Sequence, residues 1–130
     1  MALVHLTIAL ALLEFLVFGW AVGRARDKYQ VKAPATSGNP VFERYYRVHM
    51  NTLEQLIVFI PSVLIFARYI NVYVAAGLGA LFIIGRAVYF RGYVAAPEKR
   101  HVGFTLSAIP NVALLLGAIF GAIRALLTAG

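Results

Sequence analysis

The chain has 130 residues, 62% of them hydrophobic and 13% charged, and it contains no cysteine. Soluble domains run at about 45–50% apolar, so a water-soluble globular enzyme is excluded, as are disulfides, thiol nucleophiles and thiolate-held metals. The formal net charge of +7 is spaced as flanks of apolar runs, and nothing in the chain resembles a nucleic-acid fold, which speaks against a nucleic-acid partner.

Four apolar runs stand out, about Leu3–Gly23, Leu53–Ile70, Val72–Val88 and Val102–Leu127. Each is close to the roughly 20 residues that cross about 30 Å of hydrocarbon as a helix. The expectation is an all-α integral membrane protein, one domain over residues 1–130, built as a bundle of four transmembrane helices.

Helix 1 is expected over Val4–Arg26. No basic residue precedes it, Glu14 interrupts it, and no small-residue cleavage pattern follows, so it reads as a retained span rather than a signal peptide. A carboxyl group at mid-span needs a partner from another helix or subunit, which makes Glu14 structural. Val31–Pro40, with two prolines and Ser-Gly-Asn, reads as a turn-rich loop. Helix 2 is expected from near Val41, with a kink at Pro61. Arg47, Asn51 and Glu54 fall at i, i+4 and i+7 on one face of it. A charged stripe at the entrance to a bilayer persists where it faces protein or water and does a job there.

The short connection around Arg68–Asn71 predicts an antiparallel hairpin of helices 2 and 3. Helix 3, about Val72–Val94, offers Ala75, Gly77, Gly79 and Gly85 for close helix contact. At its far end Arg86, Tyr89 and Tyr93 share a face. Ala95–Gly103 reads as a charged loop containing Pro97 and Arg100. Helix 4 follows, with Pro110 inside it and Gly117 and Gly121 at small-xxx-small spacing. The three histidines, His5, His49 and His101, are expected to be surface or interface groups.

Charge placement sets the topology. Arg68 and Arg124 lie on the side of the termini, whereas the other basic residues flank the first and third loops. The positive-inside rule puts those loops in the cytoplasm and both termini outside. The two polar stripes thus meet the basic loops at one depth. The termini-facing half is almost uncharged apart from Glu14, so no polar path for transport crosses the membrane.

Guanidiniums bind carboxylates bidentately, and one carboxylate among them receives an ammonium. The inventory therefore suits a small peptide with two carboxylates and one amine. No His/Asp/Glu cluster has metal spacing and no phosphate loop is present.

Two motifs sharpen this. E-R-x-x-R-x-x-x-N-x-x-E spans Glu43 to Glu54, and R-x-x-Y-F-x-G-Y spans Arg86 to Tyr93, with Arg100 seven residues later. In these motifs, and in its four spans and basic first loop, the chain resembles the membrane-associated proteins in eicosanoid and glutathione metabolism (MAPEG). The resemblance implies a homotrimer of four-helix bundles with glutathione, as co-substrate, bent between neighbouring subunits. It places Arg26, Arg47, Asn51, Glu54, Arg86, Tyr89 and Tyr93 at glutathione-binding positions, with Gln55 and Arg91 adjacent. Glu54 would take the ammonium, and Arg47, Arg86 and Arg26 the carboxylates. Arg100 would be the catalytic residue that stabilises the thiolate.

The sequence departs from the leukotriene-forming branch at Asp27, where that branch has a second catalytic arginine, and at Gln55, where it has a tyrosine. His49, two residues before Asn51, is closer to the transferase and prostaglandin-synthase branches. The implied activity is conjugation of glutathione to lipophilic electrophiles, with peroxidase activity toward lipid hydroperoxides. The alternative is a family member that binds a lipid or partner without catalysis. A bacterial inner membrane, with the site on the cytoplasmic side, is the expected location.

Overall fold

A computed structural model describes residues 1–129. Four helices make up nearly all of it: α1 (Ala2–Tyr29), α2 (Pro40–Tyr69), α3 (Val72–Ala95) and α4 (Arg100–Ala129), with a short 3₁₀ turn, Pro97–Lys99, before α4. At about 1.5 Å per residue these helices are about 36–45 Å long. Their ends therefore project beyond about 30 Å of hydrocarbon, which lets charged first and last turns reach water.

The ends are set by local chemistry. Gln30, in the left-handed region at φ 58°, stops α1, and its backbone N–H donates to the Arg26 carbonyl. Asn39 caps α2, its Oδ1 accepting from Val41 N at 2.9 Å and Phe42 N at 3.0 Å, with Pro40 as the first helical residue. Asn71 does the same for α3 through Val74 N at 2.9 Å. At the same turn of the hairpin, Arg124 donates from Nη2 to the Tyr69 carbonyl at 2.8 Å, satisfying an acceptor that α2 leaves open. Pro61 and Pro110 both lie inside helices that continue through them.

The expected loop at Ala95–Gly103 is a correction. α3 runs to Ala95 and α4 starts at Arg100, so only Ala96 and the Pro97–Lys99 turn separate them. Pro97 initiates the turn, and Arg100 Nη1 donates back to the Pro97 carbonyl at 2.9 Å. Arg100 is therefore held on the first residue of a helix. α1 likewise extends three residues past the expected Arg26.

Packing is centred on α2 and α3, with α1 and α4 on either side. Val4, Phe59, Val63, Ala75, Phe82 and Leu114 are fully buried at its centre, and Phe59 and Phe82 stack at 4.2 Å between α2 and α3. α3 and α4 approach most closely. A Cβ on Gly85 would stand 2.5 Å from Ser107 N, and one on Gly103 would run into the backbone of Tyr89. Gly79 faces Thr7 and Phe59, and Gly117 faces Phe66, whereas Gly77 has nothing within 4 Å and makes no helix contact. The outer faces of α1 and α4 expose Leu6, Leu16 and Trp20, and Leu116, Phe120 and Leu127. All four helices are long and apolar enough to cross a membrane, and hydrocarbon is the solvent in which such faces are stable.

Candidate functional site

At the end of the bundle that carries the α1–α2 and α3–α4 connections, α2, α3 and α4 diverge around a cavity of about 660 Å³. α2 contributes Glu43, Tyr46, Arg47, Met50, Asn51 and Glu54, successive turns of one face. α3 adds Tyr89 and Tyr93, one turn apart, and α4 adds Arg100. The α1–α2 loop closes one side with Thr36 and Ser37. Two charge types meet here: the guanidiniums of Arg47 and Arg100 and the carboxylates of Glu43 and Glu54. Glu43 is turned toward the loop, with Oε2 3.4 Å from Gly38 N. Glu54, further along α2, is exposed on the isolated chain. The Arg100 guanidinium lies 5.8 Å from the Tyr93 ring centroid, across the mouth of the cavity.

Of the ten site residues expected from sequence, Arg47, Asn51, Glu54, Tyr89, Tyr93 and Arg100 line this cavity, and Arg26, Gln55, Arg86 and Arg91 do not. Each of the four has a geometric reason. Arg91 is two residues from both Tyr89 and Tyr93, about 200° around α3, so it points away. Gln55 turns toward α4, where its Oε1 accepts from Asn111 Nδ2 at 3.0 Å. Arg26 braces the loop instead of reaching the cavity. Its Nη1 donates to the Ala35 carbonyl at 2.7 Å and the Val31 carbonyl at 3.3 Å, and its guanidinium lies 4.9 Å from the Phe42 ring. That brace holds the stretch that presents Thr36 and Ser37.

Arg86 lies behind the cavity. It is the largest fully buried side chain, at 0% exposure. Nη2 donates to Asn51 Oδ1 at 2.8 Å, Nη1 donates to Ser107 Oγ at 3.2 Å, and the guanidinium packs 4.2 Å from the Tyr89 ring centroid. Arg86 thus holds two cavity residues in place from below. Because Asn51 Oδ1 is engaged by Arg86, its amide N–H₂ is left as the donor available to a ligand. Glu14 lies toward the same buried region from α1, with Oε1 buried and without a hydrogen-bond partner among the described residues. His49 stacks on Phe15 at 4.4 Å and takes no part in the cavity.

Sequence reasoning missed Thr36, Ser37, Glu43, Tyr46 and Met50 as lining, and Ser107 and Asn111 as buried polar partners. Glu43, Tyr46 and Met50 stand on the same α2 stripe and are findable by period. Ser107 and Asn111 are ordinary small polar residues in an apolar helix, and only the packing of α4 shows what they meet. Among the described residues no cluster of three or more His, Asp or Glu side chains is placed to hold a metal.

The family model described as MAPEG matches residues 4–120. The chain belongs to the MAPEG family. This MAPEG protein is 50% identical over 111 residues to an uncharacterized protein of Synechocystis sp., covering 85% of this chain and 81% of that one. It is 47% identical over 90 residues to microsomal glutathione S-transferase 2 of Mus musculus, covering 69% of this chain but 61% of the mouse protein's length. To leukotriene C4 synthase of Cavia porcellus it is 33% identical over 104 residues, 80% of this chain and 69% of that one. Family membership and four apolar helices together make it an integral membrane protein.

Proposed function

We propose that this MAPEG protein is a membrane-embedded glutathione transferase. The observation that carries the reading is the convergence of Arg47, Asn51 and Glu54 of α2 with Tyr89 and Tyr93 of α3 and Arg100 of α4 on one cavity. Its volume of about 660 Å³ falls in the range of small-molecule sites, about 300–1,000 Å³. Glutathione carries two carboxylates, one ammonium and a thiol. Glu54 receives the ammonium, Arg47 a carboxylate, and the Asn51 amide a carbonyl oxygen. Tyr89 and Tyr93 wall the middle of the ligand, and Arg100 faces the sulfur.

An unperturbed thiol has a pKa near 8.5 and is mostly protonated at neutral pH. The Arg100 guanidinium stabilises the thiolate by charge and hydrogen bonding. The sulfur lone pair then attacks an electrophilic carbon, forming the S–C bond while the leaving group departs or a strained ring opens and takes up a proton. With a lipid hydroperoxide the thiolate attacks oxygen, releasing the alcohol and a sulfenic acid that a second glutathione converts to disulfide and water. A recess of about 310 Å³ lined by Asn51, Tyr89, Arg100, His101 and Phe104 adjoins the cavity and is the side from which a lipophilic electrophile would approach.

Arg47 and Glu54 are exposed on the isolated chain, yet they belong to a membrane helix. We therefore infer that a neighbouring subunit covers them, in the homotrimer that the resemblance implies, with the basic loops on the cytoplasmic side of a bacterial inner membrane. Mass measurement in detergent is expected to find three copies. A monomer that binds glutathione with full affinity would refute the shared site.

The binding roles are tested by calorimetry. Glu54→Gln and Arg47→Ala are each expected to weaken glutathione binding by about 1.5–3 kcal/mol, on the order of 10- to 150-fold in Kd. Unchanged affinity in both variants would leave the two residues as packing elements and end the proposed mode.

A further inference from the structure

On the side of the bundle away from the glutathione cavity, α1, α2 and α3 enclose a second hollow of about 310 Å³. Its walls include Trp20, Arg24, Lys28, Tyr29, Tyr45 and Phe90, and it shares no lining residue with the larger cavity. Arg24 and Lys28 stand one turn apart on α1, and no acidic side chain lines the hollow. Arg24 sits 5.1 Å from the Trp20 ring centroid and Lys28 Nζ 5.5 Å from that of Tyr29. Phe90 forms a firm inner wall, stacked on Phe18 at 4.7 Å and edge-on to Tyr45 at 5.8 Å.

The stripe continues along α1 toward mid-membrane through Val17 and Leu13, which are 51% and 54% exposed, after Trp20 at 63%. From the helix end inward the order is thus two cations, an indole, then aliphatic surface. A phospholipid presents phosphate, glycerol and acyl chain in that same order. We propose that this hollow binds the headgroup of an anionic phospholipid, with Arg24 and Lys28 on the phosphate and an acyl chain along Val17 and Leu13.

Charge decides against a zwitterionic lipid. The Trp20 and Tyr29 rings that could hold a choline cation already carry Arg24 and Lys28, and a second cation there would be repelled. The aliphatic stripe decides against a soluble phosphate ester, which would leave Val17 and Leu13 unused. The depth is right as well, since Trp, Tyr, Lys and Arg gather in the headgroup zone.

Native mass spectrometry of the purified detergent complex tests this. With phosphatidylglycerol and phosphatidylcholine of matched chains in equal amounts, phosphatidylglycerol adducts are expected to dominate by on the order of tenfold. Raising the salt should erode the preference. Arg24→Gln with Lys28→Gln should abolish it, while Arg68→Gln, at the opposite membrane face, should leave it intact. Equal retention of the two lipids by the wild-type protein, which needs no variant, would overturn the proposal. So would a preference that survives the double substitution. Displacement of the lipid by millimolar glycerol phosphate would overturn it too, in favour of a soluble phosphate site.

Discussion

Alanine in place of Arg100 is expected to lower glutathione conjugation at neutral pH about a hundredfold while leaving affinity for the protonated thiol nearly unchanged. Arg100 is exposed at the wall of the cavity, and one of its N–H groups is tied to the Pro97 carbonyl at 2.9 Å. That bond fixes the side chain and leaves the other guanidinium donors for sulfur. Lowering a thiol pKa by two units requires about 2.7 kcal/mol of preferential stabilisation of the thiolate. The dipole of α4, which begins at Arg100, supplies about 0.3–1 kcal/mol near its N-terminus. The helix end alone therefore falls short, and the guanidinium must carry most of the shift. A thiol pKa lowered in the complex means thiolate is present from a lower pH upward. Removing Arg100 moves the rising limb of the pH–rate profile to higher pH, and the rate recovers in alkali. Arg100→Lys should restore part of the effect, because the charge survives while the planar fork does not. The measurement is conjugation of a model electrophile across about pH 6–9, beside glutathione affinity at each pH. A wild-type profile in Arg100→Ala would reduce Arg100 to a topology charge and shift attention to Tyr93.

How far the site could be read from sequence depended on how local the signal was. The stripes Arg47–Asn51–Glu54 and Tyr89–Tyr93 were legible because helical period alone decides which residues share a face. All of them line the cavity. Arg86 shares the face of Tyr89 by the same rule, yet it lies one turn deeper, where Ser107 of α4 and Asn51 of α2 close over it. Period gives direction around an axis. It does not give what the facing helix places opposite. That depends on how closely α4 approaches, which Gly85 and Gly103 permit. Gly77 and Gly79 make the same point: both small, two residues apart, and only Gly79 meets a neighbour. The start of α4 is hidden in the sequence because Pro97, Glu98 and Lys99 have the composition of a loop. They form a 3₁₀ turn that runs into the helix. Thr36 and Ser37 carried no pattern, and what places them is the Arg26 brace on Val31 and Ala35.

Arg86→Met is expected to weaken glutathione binding by about 1.5–3 kcal/mol without Arg86 touching the ligand. Methionine fills much of the space with apolar atoms but removes both hydrogen bonds and the charge over Tyr89. Ser107 still donates to the Gly103 or Phe104 carbonyl, each at 3.1 Å, so its loss is small. Asn51 Oδ1 loses the partner at 2.8 Å that sets the direction of its amide. A hydrogen bond to a charged group contributes about 1.5–3 kcal/mol, and because Asn51 and Ser107 are neutral the substitution strands no hydrogen-bonded partner charge. That contribution exceeds the about 0–1 kcal/mol of an exposed ion pair. The resemblance drawn from sequence gives Arg86 a different task, holding a ligand carboxylate directly, and a ligand truncation separates the two. If Arg86 grips a carboxylate, the loss of affinity in Arg86→Met should vanish for a glutathione analogue lacking that carboxylate. If Arg86 positions Asn51 and Tyr89, the loss persists with the analogue. It should then be non-additive with Asn51→Ala, with a coupling of about 0.5–3 kcal/mol. Ser107→Ala, which removes the 3.2 Å bond to Nη1 and the hydroxyl's own bonds within α4 but leaves the Arg86–Asn51 contact, should leave binding nearly intact and serves as the control for packing. Additive losses from Arg86→Met and Asn51→Ala would show that the 2.8 Å contact transmits nothing to the ligand, and the positioning role would be abandoned.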